Sequence, residues 1–299
     1  QQQYESDLEK QTRASAWQTK KNINKETQDI MDSTTLGQQF GYVEIDNDVD
    51  LNLFRQFETE MQRVHSTLPK AEHRPDLRLR KLGNYHALGL YHPLANSIAI
   101  DFRDYNDQIG GIGIQSFINE YGHYLDYNKS SDGQLLSMSD NFRPIVKSYR
   151  ENIRSLPKQS HVVSKSGYYG TPTEVFARAF EIYSSRSGLD SSFIKSPEEY
   201  ETSDEYVIFN DQMIEEFSRY FDQEFPEYKQ AILDLNNSID RQSIESNKDV
   251  NKSISTKENE LSNNHVEQTS LSLATIGYDQ DRKFEKAKLK EFIDKGDLS

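Results

Sequence analysis

Ser116 to Tyr127 reads "SFINEYGHYLDY", and the fold turns on what this stretch is. Ile114, Phe117, Ile118, Tyr121 and Leu125 stand at i, i+3, i+4, i+7 and i+11, which is the spacing of one buried helical face. Asn119, Glu120, His123 and Asp126 are interleaved with that face. The stretch therefore predicts a core helix that also carries an amide, two carboxyls and an imidazole.

Upstream of the helix come glycines 110, 111 and 113. Before them "DLRLRKLG", "HALGLYHP" and "NSIAIDF" run apolar or alternate over strand lengths, broken by Gly, Pro and Asn. They predict a small sheet between about 77 and 102. Further upstream, "DLNLFRQFETEMQRVH" sets Leu51, Leu53, Phe54, Phe57, Met61 and Val64 on one helical face. Residues 1 to about 35 are polar, with sparse apolar positions such as Trp17 and Ile30, and read as an exposed helical arm. Downstream, "TPTEVFARAFEIY" carries a stripe of Val175, Phe176, Ala179, Phe180 and Tyr183. "EYVIFNDQMIEEFSRYF" reads as one further helix with Val207, Ile208, Met213, Ile214, Phe217 and Phe221 inward. The acidic "SPEEYETSDEY" reads as a solvated face or loop. From about 235 to 272 the chain turns to Ser, Asn, Glu and Lys, too little apolar surface to offset the entropy of ordering. That segment is expected to be a flexible tail ending in a short charged helix near 280 to 294.

Composition narrows the functions. In 299 residues 34% are hydrophobic and 28% charged, and 17 Tyr and 15 Phe predict an aromatic core. A formal charge of −14 disfavours non-specific binding to nucleic acid or an anionic membrane, and suits a basic protein or cationic peptide. With no cysteine, a metal would have to use His, Asp, Glu or water. No run reaches the eighteen or so apolar residues of a membrane span, and no basic-then-apolar leader opens the chain. The chain is expected to be soluble, in an undetermined compartment. It begins "QQQYESDLEK" without Met, which reads as a processed or excised piece of something longer.

Zinc peptidases of one kind place two histidines four residues apart on a helix, with a glutamate after the first as general base toward metal-bound water. The corresponding positions here are Asn119, Glu120 and His123. Glu174, at the start of a later helix, is the candidate for a further protein ligand. Each has a plainer reading. "TPTE", Thr171 to Glu174, spells a capping box with Pro172 at the first helical position, and His123 alone would be a half-buried polar side chain. His86, His92 and Asp101 are the other groups near enough in sequence to the sheet to complete a site.

"FINEYGHYLDY", "YYGTPTEVFARAFEIY" and "IFNDQMIEEF" together resemble the peptidase domain of the anthrax lethal factor family, in order and spacing, over about residues 75 to 222. They are also similar to zincin-like domains of polyvalent proteins from phages and conjugative elements. The resemblance implies an α+β zincin-like fold, a small sheet packed on the active-site helix. The domain would span 43–227, between a polar arm at 1–42 and a tail at 228–299. It implies His123 and Glu174 as zinc ligands, Glu120 as general base, Tyr168 or Tyr169 as the group polarising the scissile carbonyl, and Asp126 as an acceptor orienting an imidazole N–H. The strand holding Ile98, Ala99 and Ile100 would be the edge along which an extended peptide lies. Asn119 stands where the family has its first histidine, and an amide is a poor zinc ligand beside imidazole. The expectation is a degenerate site that holds zinc weakly or not at all and a domain that binds protein partners. The alternatives are an active endopeptidase, with the amide introduced or compensated, and a structural component of a phage or mobile-element assembly.

Overall fold

The computed structural model describes residues 16–17, 19–82, 87–102, 111–130 and 133–239. They fall in the first of two compact units, residues 1–241; the second, 242–299, lies outside the described residues, and with it the expected charged helix near 280 to 294. In chain order the elements are α1 (Lys25–Ser33), β1 (Val43–Ile45), α2 (Leu51–His65), β2 (Asp76–Arg80), β3 (Gly89–His92), β4 (Ser97–Asp101), α3 (Gly111–Ile114), α4 (Phe117–Asn128), α5 (Arg143–Ile153), α6 (His161–Ser164), α7 (Ser166–Tyr169), α8 (Pro172–Arg186), α9 (Pro197–Thr202), α10 (Asp204–Val207) and α11 (Asp211–Glu224). A last helix, α12, covers 228–239. The architecture is mixed α/β. Among the described residues no helix is long and apolar enough to cross a membrane.

The sheet has four strands in the order β1-β2-β4-β3, with β1, β2 and β4 parallel and β3 antiparallel to β4. Strand periodicity separates two faces. Val43, Ile45, Leu77, Leu79, Tyr91, Ile98 and Ile100 join the main core with α2, α4 and the later helices. On the opposite face Ala99 and Leu90 pack with Leu82, Ala16 and Trp17. There the Trp17 ring stacks on His92 at a centroid separation of 3.9 Å. Lys20 pairs with Asp46 and donates its backbone N–H to Glu44 at 3.1 Å. Glu44, fully buried, is held by Arg78 at 3.0 Å and by Arg80.

Ile98, Ala99 and Ile100 are not on an edge: β4 is paired on both sides, by β2 and by β3, so its main chain has no free side for a peptide. The edge strands are β1 and β3, and β3 is the one beside β4. Asp101 bonds Leu88 across the two strands, so in the antiparallel alternation it is residues 89 and 91 whose amides face outward. The compact unit is also wider than 43–227. Leu36 and Phe40 are fully buried in the core ahead of it, and Tyr228 and Ile232 of α12 are buried beyond it. The described part of the N-terminal arm is anchored by the buried Ala16, Thr27, Leu36 and Phe40, while most of its other residues, including those of α1, are exposed or half-buried; residues 1–15 lie outside the described residues. The expected single helix over 205–221 is two. Asn210 accepts a hydrogen bond from Met213 N–H at 3.0 Å and starts α11 afresh, which leaves Val207 43% exposed rather than inward.

Candidate functional site

α4 and α8 cross where both carry small residues. A Cβ on Gly122 would lie 3.0 Å from the Ala177 Cα, so only glycine permits this separation without adjustment. The close approach turns His123 of α4 toward Glu174 of α8, with Nε2 3.6 Å from Oε1. That is contact, too long for a hydrogen bond. The other oxygen, Oε2, is bound by the Arg178 guanidinium at 2.9 Å, one turn along α8. Arg178 also donates to the Glu174 carbonyl at 3.2 Å. Its guanidinium lies 4.6 Å from the Tyr169 ring centre and 5.8 Å from that of Tyr168, within reach of a cation–π attraction. Burial works against the charge of Arg178, but Glu174 and the surrounding hydroxyls outweigh it and hold the group firmly protonated.

Burial pushes the Glu120 carboxyl up to about 8, and the Glu174 charge adds to the rise, while the Tyr91 N–H on the outer side of β3 opposes it. The carboxyl sits against Gly89, where a Cβ would fall 2.7 Å from its Cγ and 2.3 Å from Ser116 Oγ. His123 is pushed below its ordinary range by burial, with Glu174 pulling the other way. At neutral pH the cluster thus consists of a protonated Glu120, a neutral His123 and a Glu174–Arg178 ion pair, and its charges balance internally.

Of the residues proposed from sequence, His123, Glu174, Glu120 and one tyrosine come together. The tyrosine is Tyr168. Half of that residue is exposed, but its hydroxyl end is buried toward Glu174, and burial followed by the Glu174 and Glu120 charges drives its pKa up. Tyr169 instead packs its ring under Arg178 and edge-on to His161.

Three others go elsewhere. Asn119 donates its amide to Glu181 Oε2 at 3.2 Å. Asp126 accepts from Ser137 N–H at 2.7 Å and tethers the turn at 136–138, with no contact to an imidazole; burial raises its carboxyl to about 7. Thr171 heads α8 without a side-chain cap, because its hydroxyl donates to Tyr168 O at 3.0 Å. The capping box is therefore not formed, and the Glu174 side chain is left to Arg178 and His123. His92 and Asp101 lie on the sheet face turned away from α4, Asp101 accepting from Leu82 N–H at 3.1 Å, so neither completes the cluster. His86 lies outside the described residues.

Sequence reasoning missed Arg178 and Glu181. Glu181 is fully buried and takes donors from Lys195 at 2.7 Å, Tyr206 at 2.6 Å, Tyr200 at 3.0 Å and Asn119. It ties α4 and α8 to the connection through 195 and to α9 and α10. The signal was available: Glu174, Arg178 and Glu181 repeat at i, i+4 and i+7 inside an apolar helix, so all three share one inward face. A cleft of about 450 Å³ is lined by Lys70, Lys129, Phe225 and Tyr228 among others, and none of the cluster residues borders it.

These residues fit zinc poorly. Among the described residues no group of three or more His, Asp and Glu is placed to hold a metal ion. Glu174 Oε2 is held by the Arg178 guanidinium, a fixed positive charge beside the position a metal would take, and the Asn119 amide is turned to Glu181. The fold and cluster thus define a mixed α/β domain with a buried, self-neutralised polar centre between two crossing helices. No protein-family model, no curated protein and no solved structure matches the chain.

Proposed function

We propose that this chain is a lethal factor-like, zincin-like domain with a degenerate hydrolytic centre, whose role is to bind protein partners rather than cleave them. The observation that carries the reading is Asn119. Its amide stands where the sequence motif calls for a ligand and is spent as a donor on the buried Glu181. What remains of the motif, His123 and Glu174, meets as a contact pair with Arg178 attached. Glu120 holds its proton at neutral pH, and a protonated carboxyl cannot accept one from water as a general base. The charge of −14 favours a basic partner. The test is proteolysis of a diverse peptide library by the purified chain, with zinc supplied and with chelator. The expected result is no chelator-sensitive cleavage. Multiple-turnover cleavage that chelator abolishes would overturn the proposal.

A further inference from the structure

We infer that Arg178 is the built-in cation of this centre, and that it excludes zinc by itself, over and above the loss of a ligand at Asn119. The inference rests on the degenerate reading above and adds a second lock to it. Among the described residues Glu174 is the acidic side chain that faces His123 at contact distance, 3.6 Å. A metal bridging the two would need a free carboxylate oxygen and no positive neighbour. Arg178 removes the second condition: its guanidinium holds Oε2 at 2.9 Å, with its side chain only 8% exposed, and so fixes a positive charge on the carboxylate whose Oε1 faces His123. Nor is the guanidinium free to swing aside. It is held by the Glu174 backbone carbonyl at 3.2 Å and covered by the Tyr169 and Tyr168 rings at 4.6 and 5.8 Å. A divalent ion entering beside His123 would meet a fixed like charge in a poorly screened interior, where repulsion is much stronger than in water.

The arrangement at Asn119 separates the two locks. Its amide is directed at Glu181, not at Glu174. A histidine placed at 119 has a buried carboxylate ready to orient it, as ligating histidines usually do. Restoring the histidine therefore repairs the ligand count and leaves the cation in place. Asn119→His alone stays empty; zinc binding requires the loss of the Arg178 charge as well.

The experiment titrates zinc, and cobalt(II) as a coloured probe, into the full chain in four forms: wild type, N119H, N119H/R178Q and N119H/R178M, each checked for folding by circular dichroism. R178Q keeps an amide donor for Glu174, so it retains a folded comparison if the methionine variant does not fold. The expected result is a cobalt d–d band and one zinc per chain in the double variants only, with an apparent affinity at least about a hundredfold above that of N119H. If N119H takes up zinc as tightly as the doubles, Arg178 is no barrier and the inference fails, while the degenerate reading of the natural chain stands. A folded double variant that stays empty also overturns it. Tight stoichiometric zinc in the wild type would instead overturn the degenerate reading itself.

Discussion

Glu120→Gln should remove a specific loss of stability on the alkaline side of neutrality. The carboxyl titrates at 4.5 when unperturbed and at about 8 in the folded chain, chiefly through burial. Ionised Glu120 is therefore disfavoured in the fold by about 5 kcal/mol. Between these two values the folded chain holds a proton that the unfolded chain has lost, so stability falls as pH rises and levels off only above about 8. The histidines complicate the acid side. His123 is lowered and His65 lies at about 4, both by burial first, and such groups add stability as pH climbs to their ordinary 6.5. The window from pH 7 to 9 is free of them. Across it Glu120 alone should take away about 1.4 kcal/mol, and Asp126, raised to about 7, about 0.4 kcal/mol more. Urea unfolding at pH 7, 8 and 9 measures this directly. The wild type should lose about 1.4 kcal/mol more than E120Q, whose amide mimics the protonated carboxyl and can still accept from Tyr91 N–H. Parallel stability curves for the two proteins would refute the placement of a buried, protonated Glu120 in the centre.

Two further substitutions probe the frame of the site. Glu181→Ala strips the partner from Lys195, Tyr200, Tyr206 and Asn119 together and should cost about 3–5 kcal/mol, with faster amide exchange across 195–207 in hydrogen-exchange mass spectrometry. Gly122→Val drives a branched side chain into Ala177, where even a Cβ sits at 3.0 Å. It should cost about 1–3 kcal/mol, partly offset by the better helix propensity of valine over glycine, and should lower the melting temperature despite that gain.

Much of this molecule was legible because helical periodicity is a strong signal. The face read over 51–64 is the buried face of α2, whereas the one read over 114–125 falls on two helices, α3 and α4, the latter buried nearly all round; that His123 and Glu174, 51 positions apart, share a site was implied by the resemblance, and they meet at 3.6 Å. Strand order was not legible. Nothing in "NSIAIDF" tells whether its neighbours lie on one side or two, and β1, only three residues long, is too short to show a period. Local capping chemistry misled in both directions. Asn210 was passed over although it interrupts a helix, and Thr171–Glu174 matched a capping box that loses to Tyr168 O for the hydroxyl and to Arg178 for the carboxylate. Arg178 and Glu181 escaped notice because a charge on a helix is usually on its solvated side. Only the packing of α8 between α4, α5 and α11 buries that face, which makes pairing there obligatory. Asp126 shows the converse: its place one turn after His123 suggested an imidazole partner, yet the nearer donor, Ser137 N–H, takes it.

If the centre is complete without metal, as proposed, the chain takes up no zinc, and its zinc content reads this out. The chain, purified without chelator or histidine tag, is analysed by elemental mass spectrometry after dialysis against buffer containing micromolar zinc. The expected value is well under a tenth of an equivalent of zinc per chain. A value near one equivalent, retained through gel filtration, would contradict it.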